Sequence, residues 1–215
     1  TWNRLRMNDT RLADIELPQD ICEPRVFLQG SVCLNKNKNT GCCGCSEHAL
    51  CSVHGSNFAK MPTGMGEAMD KLGDGQTLRL IADAGKSTAS VTLRYEDGKN
   101  CFNRLEIEAK AGSELTVFMT YISTAQAAGQ ASVQTKIAAA AGARVKLVQV
   151  QLLGQSYVQL NDVGCELGDN AAFELLQLQL GSKRVYNGVR TELIGEAADF
   201  NAAIGYYGRQ EQTID

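Results

Sequence analysis

Residues 145–152 read V-K-L-V-Q-V-Q-L, and residues 173–180 read F-E-L-L-Q-L-Q-L. The two phrases agree in character at every position with an offset of 28 residues. Self-similarity at a fixed period of this size marks a solenoid, in which each repeat buries its apolar face on its neighbours. A glycine-bearing turn precedes each copy: Ala141-Gly142-Ala143 before the first and Gly168-Asp169-Asn170 before the second. A further copy, F-N-A-A-I-G-Y-Y, starts at Phe200 behind Gly195-Glu196, 27 residues after Phe173. Upstream, L-T-V-F-M-T-Y at 115–121 follows Ala111-Gly112-Ser113, and Gly112 lies 30 residues before Gly142. The earliest such turn is Ala84-Gly85, ahead of S-V-T-L-R-Y at 90–95.

Within each copy apolar and polar residues alternate, the period of a strand with one buried face. The alternation changes phase at Leu147-Val148 and again at Leu175-Leu176. A change at the same place in two copies predicts a bend or bulge where the strand turns a corner. Short strands, Gly turns and a rung of this length predict an all-β fold, a parallel β-helix. This phasing puts Val145, Leu147, Val150, Phe173, Leu175, Leu178, Phe200 and Ile204 in stacked interior rows. The competing reading is a β-sandwich with two look-alike strands. The alanine-rich run 125–143 favours helix by propensity. Small residues also fit the inner corners of a tight solenoid, and repeats flank the run on both sides, so it is read as strand.

The chain has 215 residues, 44% hydrophobic and 21% charged, which is a globular composition. A net charge of −3 offers no clustered basic face for nucleic acid. No apolar run approaches the ~20 residues of a membrane span, and no basic-then-apolar leader opens the sequence. A cytoplasmic location is the expectation. Residues 1–75 read as a small irregular N-terminal segment and 76–215 as the β-helix core. In the first part, residues 21–34 read as strands broken at Gly30, 35–57 as a polar cysteine-rich loop, and 64–73 as a short helix ending at Gly73. The chain ends at Asp215 just behind a repeat, with no capping helix. An open rung exposes strand edges, so the expectation is a longer protein or a second copy covering that end.

Six of the eight cysteines lie between Cys22 and Cys51, and both histidines fall in the loop. In a cytosolic chain such clustering points to metal or thiol chemistry, and in a secreted one to disulfides. Cys42, Cys45, Cys51 and His54 form two chelating pairs, each two residues apart, with the ligand types that hold tetrahedral Zn²⁺. A labile iron–sulfur centre suits the same thiolates. The competing reading is a flexible thiol-rich loop. Cys165, just ahead of the Gly168 turn, is a candidate sulfur-handling thiol or simply a buried small hydrophobe. Cys101 is a weaker candidate. Asp162, Glu166, Glu192 and Glu196 read as a solvated face along the rung edges. The chain carries no Gly-Lys-Ser/Thr phosphate loop, so ATP hydrolysis is not expected of it, and a Ser-His-Asp triad on the solenoid is not expected either.

Two stretches resemble the SufB/SufD family, the core subunits of the SUF iron–sulfur assembly machinery. One is T-W-N-R-L-R-M-N at 1–8, similar to the start of SufD-like proteins. The other is R-V-Y-N-G-V-R-T-E-L-I-G-E-A-A-D-F at 184–200, followed by G-Y-Y-G-R-Q-E-Q-T-I-D. The family carries an N-G-V-R-x-x-L-x-G-x-x-A-x-F phrase with Q-x-x-D close behind, and the resemblance covers about 110–215. It implies a right-handed parallel β-helix, partnership with a SufB-like subunit or an identical copy, and a SufC-like ABC ATPase docked beyond residue 215. It also implies that an iron–sulfur cluster forms transiently at a subunit interface. The family's sulfur-accepting cysteine lies near the turn matching Leu193-Ile194-Gly195. Here the neighbouring residues are Thr191 and Glu192, which points to a SufD-like, non-enzymatic scaffold. Two other functions compete. A carbohydrate-binding or carbohydrate-acting β-helix requires an aromatic groove with paired carboxylates, and Tyr206-Tyr207 is the sole close aromatic pair. A small metal-binding regulator would be built on the cysteine loop.

Overall fold

The computed structural model describes residues 21–30, 33–36, 58–66, 69, 72, 76–208 and 212–215. From Gln76 the chain winds between two parallel sheets through about five turns of a β-solenoid. One sheet takes the strands β4 (Gly85–Arg94), β6 (Ser113–Ile122), β8 (Arg144–Leu152), β10 (Ala172–Gln179) and β12 (Asp199–Tyr206). The facing sheet takes β3 (Gln76–Ala82), β5 (Lys99–Ala109), β7 (Ala128–Ala139), β9 (Ser156–Leu167), β11 (Arg184–Leu193) and β13 (Thr213–Ile214). Two N-terminal strands close the leading edge. β1 (Arg25–Gly30) lies antiparallel on β4, and β2 (Cys33–Lys36) lies antiparallel on β3. Each sheet thus begins on an antiparallel edge strand that covers the first parallel strand of the solenoid.

The repeated phrase is a structural rung. Val145 to Gln151 pair in parallel register with Phe173 to Gln179, residue for residue, and Phe173 pairs onward with Phe200. The copy at 115–121 and the early one behind Gly85 fall in the same register. Parallel pairing with crossovers between facing sheets excludes the sandwich. The alanine-rich run is strand: β7 occupies Ala128–Ala139 and is almost wholly buried. Ala131 and Ala139 join the core between the sheets, while Ala138 lies under Phe58 and Met61 on the outer face. The turns also stack. Gly112 (φ 69°), Gly142 (φ 68°), Asn170 (φ 55°) and Ala197 (φ 54°) occupy one column of left-handed corners. Each of the first three donates its N–H to the carbonyl one residue before the next corner.

The expected corner inside the phrase is absent. The strands run through Leu147-Val148 and Leu175-Leu176 with unbroken register. Alternation therefore continues, and the inner positions are Val145, Leu147, Gln149, Gln151 and Phe173, Leu175, Gln177, Gln179, all buried. Val150 and Leu178, assigned to the interior from the sequence, instead lie on the outer face, half-buried. Phe200 is half-buried and stacks on Phe173 with ring centroids 5.4 Å apart. Ile204 keeps the inner register opposite Gln177 but is 47% exposed on the last rung.

A segment from Phe58 to Leu72 crosses the outside of the β5–β7–β9–β11 sheet. Phe58 and Met61 pack on Ala138, while Met65, Met69 and Leu72 pack with Phe102, Leu160 and Tyr186. Glycines permit the approach: a Cβ on Gly164 would strike Pro62 O, and one on Gly188 would strike Met65 N and Gly64 C. Of the stretch read as a helix, 64–73, the described residues form tight turns. Gly66 N–H bonds to Thr63 O at 3.2 Å and Leu72 N–H to Met69 O at 3.2 Å.

Candidate functional site

The lumen between the sheets is divided along the strand direction. At the strand starts of the first sheet it is apolar: Leu115, Val145 and Phe173 stack, then Val117, Leu147 and Leu175. Two residues further on it turns polar. Gln149 donates from Nε2 to Tyr121 Oη at 2.8 Å, and Tyr121 donates to Asn161 Oδ1 at 3.4 Å. Asn161 closes the ring, donating from Nδ2 to Gln149 Oε1 at 3.0 Å. Tyr121 and Gln149 come from one sheet and Asn161 from the other, so the ring ties the two sheets through the lumen. The ladder continues to the next turn, where Gln177 donates to Gln149 Oε1 at 2.8 Å and Gln179 to Asn187 Oδ1 at 3.1 Å. Burial holds the Tyr121 phenol well above its ordinary pKa, so it stays protonated as a donor. Gln159, also fully buried, finds a partner among the described residues for neither end of its amide.

Cys165 faces the same lumen from β9. It is fully buried, in register with Ile137 on one side and Thr191 on the other. Burial, and then the charge of Glu166, push its thiol far above the ordinary value. A sealed neutral thiol is a weak nucleophile. Cys101 is also buried, and burial together with its contact to Cys22 raises its pKa strongly. The Sγ atoms of Cys22 and Cys101 lie 2.7 Å apart.

The acidic residues divide. Asp162, read from the sequence as solvated, is completely buried beneath the crossing segment. Its Oδ1 accepts from Met65 N at 2.8 Å and its Oδ2 from Gln134 Nε2 at 3.3 Å. Desolvation raises its pKa; bonds from Thr63, Met65 and Gln134 and the charge of the buried Lys136 act the other way. Arg79 and Glu106 pair nearby, and the Arg79 guanidinium sits 5.1 Å over the Phe58 ring. Glu192 is bound to Arg190 at 2.7 Å, and Glu196 is exposed, as expected of a solvated face.

Cys42, Cys45, Cys51 and His54 lie outside the described residues. Among the described residues no group of three or more His, Cys, Asp and Glu is placed to hold a metal ion, and no helix is long and apolar enough to cross a membrane. The lumen ring of Tyr121, Gln149 and Asn161 was not legible in the sequence. The Q-V-Q and Q-L-Q pairs at equal offset were its available signal.

The phrase at 184–200 takes on physical meaning here. R-V-Y-N-G-V-R-T-E-L is strand β11. Val185 fills the core, Asn187 terminates the amide ladder, and Gly188 admits the crossing segment. Comparison with curated proteins and with solved structures returned no match. Residues 92–215 match the family model described as "SUF system FeS cluster assembly, SufBD core domain". The match runs from within β4 through every later turn, more than half of the chain, and the chain therefore belongs to the SufBD core family of the SUF iron–sulfur cluster assembly system.

Proposed function

We propose that this chain is a SufD-like scaffold subunit of a cytoplasmic SUF assembly complex and catalyses no reaction of its own. The observation that carries this reading is the state of its thiols. Within the family-matched residues the cysteines are Cys101 and Cys165, both buried and both with raised pKa. Thr191 and Glu192 stand beside the turn where the family's sulfur acceptor is expected. Sulfur acceptance then belongs to a SufB-like partner, with the solenoid as a stiff platform beside it. A SufC-like ATPase moves the subunits, and the nascent cluster is cargo built at their interface.

The test is an anaerobic affinity pull-down from the native host with the uninterrupted gene, read by mass spectrometry. Recovery of an ABC-type ATPase with a second SufBD-family subunit or a second copy is expected. Isolation of the protein alone, with a labelled persulfide on Cys165 after sulfur donation, would overturn the passive-scaffold reading.

A further inference from the structure

Cys22 enters the sheet beside β5, where β3 has not yet begun. It forms a parallel bridge with Cys101. Its N–H donates to Asn100 O at 2.7 Å, and its carbonyl accepts from Phe102 N at 3.4 Å. The backbone is thus held on both sides of the pair. The side chains meet at 2.7 Å between Sγ atoms, across 79 residues of sequence. Cys101 is buried in the core, while Cys22 is half-buried and packs against it. Among the described residues no third His, Cys, Asp or Glu joins them to complete a metal site. Two thiols in contact, one of them accessible, are arranged for disulfide chemistry.

We propose that Cys22 and Cys101 are a reversible disulfide site that reacts with a low-molecular-weight disulfide and locks the N-terminal segment onto the first turn of the solenoid. The Cys22 thiolate attacks one sulfur of the small disulfide, forming a mixed disulfide and releasing one small thiolate, which takes up a proton. Cys101 then loses its proton and attacks Cys22 Sγ. The protein disulfide forms, the mixed disulfide breaks, and the second small thiol leaves. Two protein thiols are oxidised and one small disulfide is reduced to two thiols. Exposure sets the order: Cys22 meets the reagent first, and Cys101 resolves from inside. Cys22 precedes the family-matched residues and Cys101 lies within them, and the proposal stands on the geometry of the pair, whatever the assembly role.

The experiment treats the full chain anaerobically with oxidised glutathione, blocks remaining thiols with N-ethylmaleimide and maps the unreduced peptides. A peptide joining Cys22 to Cys101 is expected. It should be accompanied by a rise in Tm of about 10 °C that dithiothreitol reverses, and both should be absent in C22S. Recovery of Cys22 from folded wild-type protein as the maleimide adduct or glutathione adduct, with no link to Cys101, would overturn the proposal. So would preferential linkage of Cys22 to another cysteine.

Discussion

Gln177 on β10 hands a hydrogen to Gln149 on β8 across 2.8 Å, inside a lumen where neither side chain has any solvent exposure. A hydrogen bond from one turn to the next thus continues a ring that already joins the two sheets. Gln149 is its centre, giving to Tyr121 and receiving from Asn161 and Gln177.

Gln149→Leu leaves the Tyr121 hydroxyl, the Asn161 amide and the Gln177 amide each short of a buried partner. At roughly 1–3 kcal/mol for an orphaned buried group, a loss of about 4 kcal/mol is expected in urea unfolding. Gln159→Leu, which removes an amide with no partner among the described residues, is expected to be neutral or to gain about 1 kcal/mol. Equal losses at the two positions would refute the ring.

Ala197 holds a left-handed corner at φ 54°, the conformation that Gly112 and Gly142 adopt in earlier turns. A left-handed residue with a Cβ costs roughly 1–2 kcal/mol, and glycine returns part of this through its freer unfolded chain. Ala197→Gly is expected to raise the unfolding free energy by about 0.5–1 kcal/mol, whereas Gly142→Ala lowers it. Denaturant titration of both variants reads the sign directly.

Burial raises the Asp162 pKa, so the folded state holds its proton to higher pH than the unfolded chain, whose value is about 3.9. Between those two values the folded state binds more protons, and stability falls as pH rises. Below the unfolded value and above the native one this contribution is flat. Asp162→Asn keeps an acceptor for Met65 N and removes the titration. The difference in urea midpoint between wild type and variant should therefore change as pH rises from the unfolded value toward the raised native one, and level off above it. A difference constant with pH would contradict the assignment.

Gly188→Ala pushes a methyl group into Gly64 and Met65, where the crossing segment touches β11. The overpacking is expected to cost about 1–3 kcal/mol. Its local signature is cleavage near residues 58–66 by a protease that leaves the wild-type segment intact. Uncut variant protein would show that the segment tolerates the displacement.

The period, the strands and the stacked turns were legible because they are local and repeat. Phe173 over Phe200 follows from spacing alone, whereas the left-handed corners at Asn170 and Ala197 fall beside the glycines of those turns and not on them. The inner assignment of Val150 and Leu178 failed because hydrophobicity was taken to mark the inside. In the later half of these strands the relation inverts. Val148, Val150, Leu176 and Leu178 lie outward, while Gln149 and Gln177 turn in and bond to each other and Gln179 turns in to Asn187. A hydrogen-bonded polar interior leaves no mark in an apolar periodicity. Asp162 was misread for another reason: its cover comes from Thr63 and Met65, nearly a hundred residues upstream. Cys22 and Cys101 meet over a comparable distance. Such contacts are set by the wound fold and have no neighbouring signal in the chain.

A stack of rungs is ordinarily coupled only between nearest neighbours, so it is able to fray one layer at a time from an end. The segment between Phe58 and Leu72 changes that arithmetic, because it touches Phe102, Ala138, Leu160 and Tyr186 on four successive strands of one sheet. It acts as a batten nailed across several planks. Amide protons in those four strands should exchange together, through a single opening, with no gradient from turn to turn.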